Sequence, residues 1–534
     1  MPRVNAVAVI GAGASGLASI KSCLEEGLNP VCFEREDDIG GLWNYTEDPR
    51  PGKGSVYKSC IINTSKEMMA FSDFPVPTDF PPFMPHGFVL EYFRLYARHF
   101  DLLKHIRFGC SIEAVNRADD YEETGRYVLT IRRTEDDQSA GVEELTVDGV
   151  MVCSGHHVYP HIPELSGASA FKGMKLHSHD YKIPGPFEDM NVLVVGAGNS
   201  AVDIAVDLSR TTKKVFLSTR RGAWVISRMG PLGIPADALC NSRAFFSLPL
   251  SVLQTLVKLM ANFRFSHRNY GLQPTHAPLQ AHPTINDELP HRIMTGAVQV
   301  RDDVAAFGAH DVTFKDGGHE EIDAVIFATG YDYKFKFLDD DILSMDNNKP
   351  GTGLYRFMMP AHLRHPTLSV IGLVQAIGSV IPISEMQARW HARLLTGGAS
   401  LPEKAEMDSD IEEKSSRMKE QYVDSQRHTL QTFWIEYMDT IAEEIGVRPN
   451  LGRLALSDPW LSLRCFLGAC VPSQYRLEGP GRWSGARDAI LRSLSNNAKA
   501  TQSRVLHDEP QGLQLSALLW LLIAVFLAVL FVWR

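Results

Sequence analysis

The stretch Asn191–Asp203, NVLVVGAGNSAVD, constrains this chain more than any other. An almost unbroken apolar strand runs into Gly196-Ala-Gly198-Asn199-Ser200-Ala201, and a helical pattern carrying Val202 and Asp203 comes next. A parallel strand covered on both faces reads this way, and the turn after it sets a helix N-terminus where a pyrophosphate can lie. The same construction opens the chain. Val4–Ile10 is apolar almost throughout and feeds Gly11-Ala12-Gly13-Ala14-Ser15-Gly16, then a helix with Leu17, Ile20 and Leu24 on one face, stopped at Gly27. In such a turn the first glycine permits the bend, the second admits the phosphates and the third lets helix pack on strand.

The residues beyond each glycine finger distinguish the two. A second strand, Pro30–Arg35, contains Glu34, placed to accept a hydrogen bond from a ribose hydroxyl. At the same distance from Gly196 stands Thr219, followed by Arg220 and Arg221. The acid that would repel a 2′-phosphate is gone and two guanidinium forks take its place, which selects NADP over NAD. After Glu34 comes Asp37-Asp-Ile-Gly40-Gly41-Leu42-Trp43, similar to the continuation seen in FAD enzymes, so the first finger is expected to hold FAD and the second NADPH. Two further runs share one shape, acid, apolar strand, small residue, Ser or Thr, then Gly: Asp148–Gly155 and Asp323–Gly330, the latter with Thr329. Such runs mark crossings between two nucleotide-binding units. The expected fold is α/β, with two Rossmann-like dinucleotide-binding domains, a helical insertion and a C-terminal transmembrane helix.

The chain has 534 residues, enough for two or three domains, and a formal net charge of −10 with no long basic run, which argues against nucleic acid as a ligand. Its eight cysteines are scattered without a C-x-x-C pair, which argues against a zinc site, a redox dithiol or a disulfide framework, so no metal is expected. The first apolar run enters a glycine motif directly, so no signal peptide is read. Residues 222–295 interrupt the second unit. Within them Phe245–Phe263 is strongly apolar, but Pro249 and Lys258 break it, so it is read as a helical cover over the site, a membrane-surface patch, or both. Glu403–Tyr422 reads as a solvated helix. Leu515–Trp533 carries one serine and no charge, and at ~1.5 Å per residue a helix of that length reaches about 28 Å, the thickness of a bilayer's hydrocarbon. It is expected to be a tail anchor.

Phe171, Gly173, His177 and Tyr181 stand in the spacing F-x-G-x-x-x-H-x-x-x-Y. With the two fingers and the late GPGRWSGAR at 479–487, this resembles the flavin-containing monooxygenases, and the likeness runs from about Val4 to Arg487. Ser218–Trp224, Pro235-Ala-Asp237, Ala281-His282-Pro283 and Val423–Thr429 are similar to the fifth-isoform branch of mammalian type. The resemblance implies an enzyme in which NADPH reduces FAD, O₂ gives a C4a-(hydro)peroxyflavin and NADP⁺ stays bound. Its substrates would be small xenobiotics or metabolites: ketones and aldehydes by Baeyer–Villiger insertion, or alternatively tertiary amines and sulfides, or release of H₂O₂. It also implies that Ile62, Asn63 and Thr64 lie against the flavin, with Asn63 catalytic. Asn63-Thr64-Ser65 and Asn44-Tyr45-Thr46 are glycosylation sequons too, but a glycan at Asn63 would exclude the cofactor. His282 stands where amine- and sulfide-oxidising branches carry Glu, and is expected near the flavin as a second catalytic residue. The expected division is 1–154 with 331–445 for FAD, 155–221 with 296–330 for NADPH, 222–295 as the insertion, 446–512 packing on the FAD domain and 513–534 as anchor. The expected setting is the endoplasmic reticulum membrane, with the body facing the cytoplasm, lipid at the C-terminal helix and room for a homo-oligomer.

Overall fold

The computed structural model describes residues 4–133, 142–345, 353–423 and 429–504. Two five-stranded, all-parallel sheets organise it. The first runs Leu368–Val370, Gly149–Val152, Ala6–Ile10, Asn29–Phe33, Ile106–Arg107, and the second Val298–Arg301, Lys214–Ser218, Asn191–Val195, Ala324–Phe327, Met174–His177. In each the finger strand is central, with Ala8 facing Val31 on one side and Val150 on the other, and Leu193 facing Phe216 and Val325. Both finger strands are buried apart from their first residue, which is why they read as continuous apolar runs.

The two units repeat one plan. In each, a three-stranded antiparallel meander (Cys110–Arg117, Tyr127–Arg133, Glu143–Val147; then Val304–Phe307, Asp311–Phe314, His319–Glu321) leads into the strand that begins with an acid. That acid pins the entry of the finger strand beside it. Asp148 Oδ2 accepts from the amides of Asn5 and Ala6, both at 2.9 Å, and Asp323 Oδ2 accepts from Asn191 N at 2.8 Å. The likeness of the two acid-led runs therefore has a structural cause. The crossings after them pair with each other, Tyr331 opposite Pro160 and Asp332 opposite Tyr159. The units differ in their outer strand: the second sheet is built within 174–327, whereas the first closes only with Leu368–Val370.

The insertion is not a separate body. It enters and leaves through the parallel pair Val225–Ile226 and Thr284–Ile285, and Ala223, Val225, Leu272 and Leu289 belong to the core of the second unit. The apolar run read at Phe245–Phe263 is two helices, Arg243–Phe246 and Leu250–Arg264, divided at Pro249. The charged run is the helix Lys404–Gln421, seated by Met407 and Met418.

The late part of the chain is tied to the first unit by a buried ionic knot. Arg476, with no exposed side-chain surface, donates to Glu385 Oε1 at 2.8 Å, Ser72 Oγ at 2.6 Å, Glu25 Oε1 at 3.3 Å and the Gly481 carbonyl at 2.9 Å, and faces Asp73 at 3.2 Å. Ser72 N and Oγ both donate to Glu385, and Lys21 closes the ring by pairing with Glu25 and Asp73. The first-finger helix Ala14–Glu25, the turn at 72–73, the helix Val380–Thr396 and the C-terminal segment thus meet at one guanidinium. Removing one partner of a buried pair leaves the others charged in a dry interior. Arg476→Met should therefore lower stability by about 3–5 kcal/mol, read as a clear drop in the chemical unfolding midpoint. Arg487→Ala, at an exposed pair with Asp458, should leave the midpoint in place. Equal midpoints for both variants would show that the knot is not holding these segments.

Candidate active site between the two fingers

Each finger begins with a glycine that no other residue could replace. Gly11 has φ 99° and a Cβ on it would lie 2.8 Å from the Cys153 carbonyl oxygen; Gly196 has φ 122° and its Cβ would lie 2.5 Å from that of Ala328. Gly11 N donates to Phe33 O at 2.8 Å and Gly196 N to Ser218 O at 3.0 Å, so the two turns superpose bond for bond. The helices they launch, Ala14–Glu25 and Asn199–Leu208, open at Gly13 and Gly198 without a side-chain cap, whereas Ser242, Ser379 and Asn450 cap helices elsewhere. First-turn amides and the positive helix end are thereby left for phosphate. In the first finger Gly41 has φ 52° and a Cβ on it would come within 3.2 Å of Gly13 Cα, so the backbones of the finger and this turn run close together; Leu42 and Trp43 form the half-buried turn beyond it. The donors fit FAD at the first finger and NADP at the second.

The register that chooses between them is also shared. Glu34 N donates to Arg107 O and Thr219 N to Arg301 O, both at 3.0 Å, so Thr219 occupies the structural place of Glu34. Glu34 is buried, which raises its pKa against the opposing pull of the Glu36 and Ala12 amides, at 3.0 and 2.7 Å. Arg220 and Arg221 are exposed just past the strand, and Thr219 Oγ1 holds their turn by accepting from Gly222 N at 3.0 Å. Ala201 replaces the third glycine and is buried; Val202 packs in the core of the second unit. Thr329 Oγ donates to the His161 carbonyl at the crossing.

The spacing F-x-G-x-x-x-H-x-x-x-Y describes the outer strand of the second sheet and its exit. Phe171 packs edge-on to Phe307 at 5.6 Å, and a Cβ on Gly173 would lie 2.4 Å from the Asp323 carbonyl oxygen. His177, opposite Phe327, sets its ring against Tyr331 at 5.2 Å, and burial pushes its pKa down to about 4. Tyr181 donates to Asp207 at 2.9 Å and touches Tyr57 of the first unit. A sequence pattern with no evident periodicity is a set of packing and inter-unit contacts.

Between the fingers the structure gathers residues distant in sequence. Asn63, half-buried, accepts from Arg228 Nη2 through Oδ1 at 2.6 Å. Arg228 also reaches Asp287 Oδ2 at 3.3 Å and faces Asp203 at 3.9 Å. Both oxygens of Asp203 are taken by protein, Oδ2 by the Tyr57 hydroxyl and Oδ1 by Asn286 Nδ2, each at 2.7 Å; burial raises its pKa against Arg228 and these donors. Asp203 is thus a strut between units. Ile62 is buried and anchored through its amide to Met84 O at 2.9 Å. His282 Nδ1 lies 3.2 Å from Gln431 Oε1, and Gln431 pairs with Gln375 on the strand just after Gly372, whose own Cβ would strike Ser15 Oγ of the first finger at 2.5 Å. Two residues on, Thr284 Oγ1 donates to Ala197 O and Ile285 N to Asn199 Oδ1 of the second finger, each at 2.7 Å. The segment that carries His282 is thus tied to the second finger through Thr284 and Ile285. Arg228, Asp287, Asn286 and Tyr57 carry no motif that sequence reasoning could have used. Among the described residues no His, Cys, Asp or Glu cluster could hold a metal ion.

The family described as flavin-binding monooxygenase-like matches residues 4–534. The chain belongs to that family. It is 46% identical over 533 residues to "Flavin-containing monooxygenase 5" of Rattus norvegicus, covering 98% of each chain, and 47% identical over 508 residues to the protein of that name in Homo sapiens, covering 94% of each. It is also similar to an S-allyl-L-cysteine S-oxygenase from Allium sativum (26% identity, TM-score 0.64, 92% and 98% of the two chains). It shares its fold with an NADP⁺-bound cyclohexanone monooxygenase from Rhodococcus sp. Phi1 (15% identity, TM-score 0.58, 86% and 98%). The protein is accordingly an NADPH-dependent flavin monooxygenase with FAD and NADP as cofactors.

If the exposed pair after Thr219 reads the 2′-phosphate, each charge-assisted contact is worth about 1.5–3 kcal/mol. The double change Arg220→Ala, Arg221→Ala should then raise KM for NADPH by about a hundredfold or more while leaving that for NADH nearly untouched. Equal losses with both coenzymes would remove these arginines from the site.

Proposed function

We propose that this flavin monooxygenase oxidises ketones and aldehydes to esters by Baeyer–Villiger insertion, with Asn63 and His282 as its catalytic residues. The observation that supports the reading is the contact of His282 with Gln431, on a segment whose Thr284 and Ile285 bond to the second finger. Bound FAD, reduced by NADPH, supplies the activated oxygen. The chain's part is to place the substrate and meet the charge that develops. Insertion beside a carbonyl builds negative charge on the carbonyl oxygen, where an imidazolium that gives Nδ1–H to Gln431 can donate from Nε2 and a carboxylate cannot. Asn63, fixed by Arg228, offers its amide N–H group in one geometry, which is preorganisation. Likeness to relatives named flavin-containing monooxygenase 5 supports the same reading. Transfer of oxygen to nitrogen or sulfur, where the substrate's own lone pair attacks, is the second reading, favoured by the likeness to the S-oxygenase. His282→Glu separates them. With FAD content unchanged, the ratio of ester from a linear ketone to sulfoxide from a sulfide should fall, by about tenfold for one lost hydrogen bond to developing charge. An unaltered ratio would overturn the role of His282.

We further propose that 1–154 with 331–445 bind FAD and 155–221 with 296–330 bind NADPH, and that the body sits on the cytoplasmic face of the endoplasmic reticulum membrane. Among the described residues no helix is long and apolar enough to cross a membrane; Leu515–Trp533 lies outside them. Its apolar composition supports an anchor. Support for a second contact comes from the helix Leu250–Arg264, where Phe263 is 92% exposed beside exposed Leu259 and Met260, and from exposed Leu456, Trp460 and Leu463. Truncation after Gln511 should leave FAD content intact and release the protein from membranes without detergent. Full retention would assign attachment to the helical insertion.

A further inference from the structure

The turn that carries Asn63 is gripped at two points by one short loop of the insertion. Arg228 holds the Asn63 side chain, and Asp237 Oδ2 accepts from the Ser65 amide at 2.7 Å. Residues 228–237 form a closed turn: Ala236 N donates to Arg228 O and Gly230 N to Ile234 O, both at 2.8 Å, with Met229 bridged to Pro235. Arg228 and Asp237 are thus the two feet of one rigid staple, set on residues separated by a single position. On either side the Asn63 turn is fixed by its own unit. Ile62 N is bound to Met84 O at 2.9 Å, and Lys66 N to Pro82 O at 2.8 Å. Among the described residues, the hydrogen bonds reaching 63–65 from elsewhere in the fold come from these two feet. The Ser65 carbonyl starts the helix Lys66–Met69, accepting from Met68 and Met69, so a shift of Ser65 moves both Asn63 and that helix.

We propose that Asp237 is a positioning residue for Asn63: with Arg228 it staples the Asn63–Ser65 turn to the insertion, so that the geometry at Asn63 is set from the NADPH-binding side of the molecule. The inference rests on Asn63 having the catalytic role proposed for it. The carboxylate does this work in an awkward place. Its Oδ1 and the neighbouring Ser65 Oγ are both sealed from solvent. Burial raises its pKa to about 6, against the pull of the Ser65 amide and hydroxyl and the amides of its own helix. An ionised acceptor grips an amide more strongly than a protonated one, so the staple should be tight above about pH 6 and slacken at lower pH. Around it, burial pushes Cys240 on its own helix up to about 12 and Glu67 on the helix after Ser65 up to about 8, and lowers the pKa of Lys66. Across the turn stand Arg228, Asp287 and Asp203, of which Asp203 is raised by burial.

The test uses the full-length holoenzyme with Asp237→Asn and, separately, Asn63→Asp. Amide hydrogen exchange over 61–69 is followed together with FAD content, flavin reduction by NADPH, and the share of NADPH oxidised that appears as product and not as H₂O₂. Asp237→Asn should keep FAD and the reduction rate. It should speed exchange in 61–69 by about tenfold or more without speeding it in the strands of either sheet. It should also lower the product share, and abolish that share's decline as pH falls through about 6. Unchanged exchange in 61–69 would overturn the proposal, as would faster exchange throughout the first unit with loss of FAD, which would make Asp237 merely structural. If Asn63→Asp leaves the product share intact, the catalytic reading of Asn63 fails, and the exchange data still decide whether Asp237 holds the turn.

Discussion

The approach of one backbone carbonyl to one glycine governs this molecule. The Cys153 carbonyl lies over Gly11 and the Ala328 carbonyl over Gly196, each so close that a methyl group could not be inserted. That approach fixes where the finger strand stops, the angle at which its helix departs and the direction in which the uncapped amides point. It also forces the acid-led strand to lie beside the finger strand, so the crossings that leave those strands emerge together and pair. The relation between the two fingers descends from this repeated contact.

Local chemistry is what the sequence displays, and the residues whose role is local were legible. Glu34 and Thr219 can be matched by counting because an unbroken strand–turn–helix–strand unit keeps its register, and the structure gives both the same amide-to-carbonyl bond. The two acid-led runs could be paired by shape because the acid caps the same neighbouring strand in both units. The monooxygenase fingerprint lay between these cases. It could be recognised but not explained, since Phe171, Gly173, His177 and Tyr181 each answer to a different partner: Phe307, Asp323, Tyr331 and Asp207.

The supports of the site were illegible for a physical reason. Arg228 and Asn63 are 165 positions apart and Asp237 and Ser65 172, so no period or motif links them; only the closed fold does. The same holds for Arg476, whose partners come from four places along the chain and which reads in sequence as one more arginine after a tyrosine. Asp203 shows the converse limit. Its place in the second finger's helix suggested contact with a cofactor, yet Tyr57 and Asn286 occupy its oxygens and make it a joint between units.

The outer strand of the first sheet has a consequence for how the protein is made. Leu368–Val370 pairs with Gly149–Val152, and the helix Val380–Thr396 packs against Ala14–Glu25, so the unit that begins at the N-terminus cannot be completed by N-terminal residues. The second unit, whose sheet lies wholly within 174–327, has all its strands in hand earlier. On a ribosome the order of closure is therefore the reverse of the order of reading. The apolar edge of Gly149–Val152 must wait, unpaired, for more than two hundred residues to emerge. A nascent chain of this kind has its greatest need of chaperone cover in that interval, and the ionic knot at Arg476 is drawn tight only after it ends.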